Sequence, residues 1–344
     1  MWNTRWISSS WLALGLALPA LGCDPEPGLP IDREPAAGGS DTGMIDATPE
    51  VPELRDGAMR IETPPLEIGP YSDIIFCYIG SFPADQGQLA IDWVAMYENP
   101  VYGHHIQFNG LRSDSDTFDV PDGTLVDCTD PSQTMLATSQ MVNMNRILDS
   151  EVGYGGEMVL PEGAAVPIEP GARWLFEVHL VNPTPRPATG KGVVDIRFVE
   201  AESVRDWVAP WVFNDSGFEL PPGEQATVEV DCTWPQDATV LSLLGHMHEM
   251  GLQHKVEMVT PDGQRTTIYD LPEWDLDWRY QPVVEDFDGG LDVPEGTRFI
   301  TTCTFFNHGS HAVTFPDEMC VASGLFMPAS QTIACDTGRV DGGG

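Results

Sequence analysis

Gly171-Ala172-Arg173-Trp174-Leu175-Phe176-Glu177-Val178-His179-Leu180-Val181-Asn182 is the stretch that decides the fold class. It follows a turn containing Pro and Glu, opens on glycine, and runs as one short apolar strand. The pattern returns in Gly296-Thr297-Arg298-Phe299-Ile300, which leads to Asn307, again 11 positions beyond its glycine. Other short apolar or alternating runs are Ile74 to Ile79, Leu89 to Met96, Val193 to Val199, Thr227 to Val230 and Lys255 to Val259. Pro, Gly, Asn and Asp separate them. With 30 Pro and 34 Gly in 344 residues, long helices have little room. Many short strands between turn signals predict an all-β chain of β-sandwiches. The echo suggests two related sandwich domains divided near Ala201 to Val208, with chance similarity between Gly-bounded strands as the alternative.

Outside that strand-rich part the chain reads differently. Arg5 precedes an apolar stretch, Trp11 to Leu21, and Ala20-Leu21-Gly22-Cys23 follows. This resembles a bacterial lipoprotein export signal over 1–22, with Cys23 as the lipidated residue; plain secretion is the alternative. Residues 23–57 are rich in Pro, Gly, Asp and Glu without apolar period, so a disordered tether is expected there. No second apolar stretch is long enough for a membrane-spanning helix, which leaves the membrane reachable only through a lipid anchor. The expected location is the cell envelope, as a lipoprotein, or the exterior. Seven cysteines less a lipidated Cys23 leave six, an even number that suits disulfides in an oxidising compartment. The formal charge of −37 repels nucleic acid and anionic lipid, so neither is an expected partner. Because the charge is spread along the chain, solubility accounts for it as readily as attraction of cations.

Three histidine groups and one methionine carry the chemistry. They are His104-His105 in Tyr-Gly-His-His-Ile, His179, His246 and His248 in Leu-Gly-His-Met-His-Glu-Met-Gly, and Met319 in Pro-Asp-Glu-Met-Cys. Two histidines two apart on a strand share a face, within reach of one ion. Adjacent histidines point to opposite faces of a regular strand. His104 and His105 can therefore share an ion only at a strand end or bulge, which Gly103 permits. A thioether is a soft ligand suited to Cu(I), and imidazole suits copper in either oxidation state. Three nitrogens in the first half and two nitrogens with one thioether in the second imply two unlike copper sites.

This combination resembles the copper type II, ascorbate-dependent monooxygenases, the family of peptidylglycine α-hydroxylating monooxygenase and dopamine β-monooxygenase. The likeness runs from about Tyr71 to Cys335. It includes Leu271-Pro272-Glu273-Trp274 to Trp278-Arg279-Tyr280 and Pro294-Glu295-Gly296-Thr297, similar to a signature of bacterial members. It implies two tandem jelly-roll-like β-sandwich domains, over 58–200 and 204–338. It implies an electron-transfer copper at His104, His105 and His179. A second copper, where dioxygen and the C–H bond react, would lie at His246, His248 and Met319. It also implies the disulfides Cys77–Cys128, Cys232–Cys335 and Cys303–Cys320. Dioxygen, a small-molecule substrate, and ascorbate or another one-electron donor are the implied partners.

The chain departs from the peptide-amidating enzyme where that enzyme grips its substrate. Its arginine before His-x-His is Leu244 here, its asparagine and tyrosine after the methionine are Val321 and Ser323, and its first-domain tyrosine is Ile75. A peptidylglycine is therefore not the expected substrate, and a more apolar pocket is expected. The family's glutamine before the third histidine is Glu177, either a charge near the electron-transfer copper or a solvated strand residue. The expected function is hydroxylation of a C–H bond with O2 and two one-electron reductions. The rivals are a copper-holding surface lipoprotein without turnover and a secreted interaction module with structural metal.

Overall fold

Two aromatic-rich cores organise the chain, each lying between two β-sheets. The computed structural model describes residues 43–84, 89–99, 102–111, 119–128, 138–142, 156–279 and 282–338. The expected export segment, Cys23 and the tether up to residue 42 lie outside the described residues. Residues 45–47, expected within the tether, instead form the strand Ile45–Ala47, paired in parallel with Ala188–Gly190. Ala47 is buried there. Two apolar residues flanking Asp46 suffice to dock this short strand, and so brief an alternation is hidden in a Pro- and Asp-rich stretch.

In the first half, a five-stranded sheet runs Leu125–Asp127, Ser72–Ser81, Arg173–Asn182, Gly103–Leu111, Thr138–Val142. It faces a larger sheet built around Leu89–Tyr97 and Val193–Glu200. Alternation along Arg173–Asn182 sends Trp174, Phe176, Val178 and Leu180 into the core against Ile91, Val94, Val194 and Ile196. Leu175 faces the other way, into a smaller apolar cluster around the Cys77–Cys128 disulfide.

The second half repeats the plan. A sheet ordered Val284–Val293, Ala238–His246, Val321–Met327, Ala209–Asn214, Ile333–Asp336 packs on one ordered Gln225–Thr233, Arg298–Phe306, Gly251–Val259, Arg265–Leu271. Trp234 anchors their shared core, with ring centroids 5.3 Å from Phe299, 5.6 Å from Phe213 and 5.7 Å from Trp211. Such edge-on aromatic pairs each contribute about 0.5–1.5 kcal/mol beyond the area they bury. The Cys232–Cys335 and Cys303–Cys320 disulfides complete the three pairings that the family resemblance implies. Three disulfides are compatible with an exported protein. Among the described residues no helix is long and apolar enough to cross a membrane.

The sequence echo has a structural counterpart. Gly171 and Gly296 both take positive φ, +73° and +83°, in the turns that open their strands. The buried Asn182 and Asn307 then repeat one set of bonds at the strand ends. Asn182 Nδ2 donates to the carbonyls of Gly69 and Arg186, each at 2.8 Å, and its Oδ1 accepts the Thr184 N–H. Asn307 Nδ2 donates to Leu220 and His311, and its Oδ1 accepts the Gly309 N–H. In both corners the amide reaches the carbonyl four residues on and the N–H two residues on. Only a side chain with a donor and an acceptor can do both.

Leu241, Leu325 and Met327 of the second half pack with Leu160, Ala164, Val166 and Val208. This apolar seam joins the two halves.

Candidate metal centre

His246 ends its strand, and its cross-strand partner is Val321. Extended past that last pair, the same register would set His248 opposite Met319. The two imidazoles converge: His246 Nε2 and His248 Nε2 are 3.1 Å apart. His248 Nδ1 lies 2.9 Å from the carbonyl oxygen of Asp317. A carbonyl can only accept, so Nδ1 carries the proton and Nε2 of the neutral ring presents its lone pair. Burial pushes His246 down to about 3, with His248 and Arg279 adding to the shift. Burial, then Arg279, takes His248 down to about 4, with Asp317 opposing. Both rings are uncharged at neutral pH, the form in which imidazole binds a metal.

Met319 is buried, its backbone N–H shares an acceptor oxygen of Glu318 with that of His248, and the Cys303–Cys320 bridge ties its neighbour to the opposite sheet. Glu318, 1% exposed, turns its carboxylate into the loops. Oε1 accepts the N–H of His248 at 2.5 Å and of Met319 at 2.9 Å, while Oε2 accepts the N–H of Met250 at 2.9 Å. Burial raises Glu318 from the ordinary carboxylate range, and those three N–H donors with Arg279 pull the other way. His254, fully buried, donates from Nε2 to the Val321 carbonyl at 2.9 Å. Gly245 makes room for it, since a Cβ there would meet His254 Nδ1 at 2.5 Å. Arg279 forms an ion pair with Glu249, immediately after His248. This positive charge close to both imidazoles qualifies the expected apolar surroundings. Leu244, Val321 and Ser323 do share the His246 face through the pairs Leu244–Ser323 and His246–Val321.

In the first half, His179 lies in the middle strand of its sheet, with Ile75 opposite on one side and His105 on the other. The register between the last two strands slips at this point: His179 pairs with His105, but Leu180 pairs with Gly103. His104 is the residue skipped. A bulge is the backbone distortion that two adjacent histidines need if they are to serve one ion. Gly103 is required there, because a Cβ would meet the Glu98 side chain at 2.2 Å and the Asn99 carbonyl at 2.6 Å. The side chains of His104 and His105 lie outside the described residues. His179 is buried, and its Nε2 lies 2.5 Å from Asp73 Oδ1. With Nε2–H donated to a carboxylate, Nδ1 is left for a metal. Glu177, on the His179 face, is buried rather than solvated. His308 and His311 are exposed.

Among the described residues no three His, Cys, Asp or Glu side chains converge as a metal cluster. The expected second centre would add a thioether to two imidazoles, and two of the three histidines expected at the first have no described side chain. By donor type the residues present fit copper, with the soft sulfur of Met319 and the neutral nitrogens of His246 and His248. Asp73, Glu318 and His254 were not legible as parts of these centres. Each acts on a partner more than sixty positions away. Only Glu318 left a trace, as a carboxylate beside the Met-Cys pair.

No protein-family model and no curated protein matches the chain. Among solved structures, a chain of the infectious bursal disease virus Gx strain is similar over 78% of this chain and 71% of its own, at 10% identity and TM-score 0.19. The VP2 subviral particle of the same virus gives 85% and 74%, at 12% identity and TM-score 0.21. Dimeric latent PorU from Porphyromonas gingivalis gives 72% and 25%, at 8% identity and TM-score 0.19. At these scores the likeness carries no argument about fold or function.

Proposed function

We propose that the chain is an exported copper-dependent monooxygenase that hydroxylates a C–H bond of a small molecule other than a peptidylglycine. The observation that carries this reading is the pair of Nε2 atoms 3.1 Å apart, with the His248 tautomer set by Asp317 and the Met319 backbone held with that of His248 on one Glu318 oxygen. His246, His248 and Met319 would hold one copper, and His179 with His104 and His105 the other. Bound there, copper would supply dioxygen binding and one-electron transfer. In the overall reaction one oxygen atom enters the product and the other leaves as water, with two electrons and two protons from ascorbate or another donor.

The chain's own residues have separate tasks in this scheme. His248 Nδ1–H stays on the Asp317 carbonyl and keeps Nε2 aimed. Asp73 fixes the His179 ring. Leu244 and Val321 offer apolar contact beside His246 and leave no acid-binding clamp among the three substituted positions. Arg279, paired with Glu249, is the nearby cation.

A copper-holding surface lipoprotein without turnover is the second reading, favoured by the loss of the clamp at Leu244, Val321 and Ser323. Metal analysis and oxygen consumption separate the two. The enzyme binds two coppers, is reduced anaerobically, and on adding oxygen to a metabolite mixture yields a product heavier by one oxygen atom. Two coppers without any coupled product favour the second reading. Zinc without copper ends both.

A further inference from the structure

We infer that Glu318 is the positioning residue that sets Met319 against the His246–His248 pair before any metal arrives. The inference rests on the copper reading above. The strand ladder stops at His246–Val321. Past it, the N–H groups of His248, Met250 and Met319 have no ladder carbonyl to meet, and a buried N–H left unpaired is costly. The Glu318 carboxylate receives all three. One oxygen, Oε1, is shared by the His248 and Met319 backbones, so the spacing of the nitrogen ligand and the thioether segment is set through a single atom. The carboxylate is 1% exposed, and nothing in a merely solvated acidic residue would bring it there.

Two further bonds brace the same loops. The Asp317 carbonyl holds the His248 ring, and the Met250 carbonyl accepts the Phe306 N–H from the opposite sheet at 2.8 Å. The Cys303–Cys320 bridge holds the segment after Met319 but touches neither histidine. Without the carboxylate the Asp317 carbonyl still holds the His248 ring, but the N–H groups of His248, Met250 and Met319 lose their shared acceptor, and the spacing of the His248 and Met319 backbones is no longer set. Glutamine is nearly the same size, but it has a single acceptor oxygen. Its amide N–H2 would face either the Met250 N–H or the pair from His248 and Met319, so one side chain could no longer hold all three.

The test compares the full chain with Glu318→Gln, loaded with Cu(I) under anaerobic conditions and read by X-ray absorption at the copper edge. Wild type is expected to show sulfur scattering from Met319. Glu318→Gln is expected to lose it and to bind Cu(I) at that centre about tenfold or more weakly, with the other centre unchanged. A Glu318→Gln protein that keeps wild-type sulfur scattering and affinity overturns the inference while leaving the copper reading standing. Wild type without sulfur scattering overturns the copper reading itself. If Glu318→Gln does not fold, residue-resolved amide exchange on metal-free wild type decides. Protected N–H groups at His248, Met250 and Met319 support the inference, and exchange at the rate of a surface loop overturns it.

Discussion

His254 donates a hydrogen bond from Nε2–H to the carbonyl oxygen of Val321, 2.9 Å away, and Val321 is the cross-strand partner of His246. A histidine outside the ligand pattern thus braces the strand that faces the ligand. His254→Phe keeps a ring of similar size in the space beside Gly245 and removes the donor. The Val321 carbonyl is then left short of a partner, at a cost of about 1–3 kcal/mol. The urea midpoint should fall accordingly, with the slope of the transition unchanged. An unchanged midpoint would show that the bond contributes nothing.

Met319→Leu retains bulk and apolarity, so its effect on stability should stay below about 1.5 kcal/mol. It removes the only sulfur in the proposed ligand set. The reduced protein should hold one Cu(I) instead of two after dialysis, and oxygen uptake coupled to product should cease. Retention of both ions would remove Met319 from the site.

The metal-free protein should lose stability steadily as pH falls from 6.5 toward 4. His246, His248 and His254 have folded-state values of about 3, 4 and 4 against an ordinary 6.5, so the unfolded chain binds more protons across this window. Stability therefore rises with pH there, through as many as three protons. Glu318, raised by burial, pushes the other way above its ordinary value, but it is one group against three. Urea midpoints at half-unit intervals measure the slope, and a flat profile between pH 4.5 and 6.5 would contradict the downward shifts of the three rings.

Asp73→Asn acts on the other centre. The amide can no longer hold His179 Nε2–H as a charged acceptor, and the ring loses its fixed tautomer. Copper affinity at that centre should drop by about 10–100-fold in a chelator competition, with the His246–His248 centre unaffected. Equal weakening of both centres would point to a general loss of structure instead.

The all-β architecture was legible because Gly-bounded apolar runs such as 171–182 and 296–307 carry their own start and stop signals. The strand Ile45–Ala47 was not, since its two apolar residues are too few to show a period. Gly103 foretold the bulge at His104, because a residue without Cβ is what such a close approach demands. Asp73 stayed hidden although it is only the diagonal neighbour of His179: strand pairing is not written in either strand alone. Glu318 was hidden for a related reason. A side chain that binds backbone amides needs no recognisable partner residue.

The matching corners at Asn182 and Asn307 have a consequence for the two proposed donor sets. They equate the strand Arg173–Asn182 with the strand Arg298–Phe306, and the first carries His179 while the second belongs to the sheet opposite His246. Superposing one half on the other would therefore not superpose the ligands. A duplicated frame ordinarily offers two editions of one pocket. Here each proposed donor set would sit on a different sheet of its half, so a change that refits one would have no counterpart to disturb in the other.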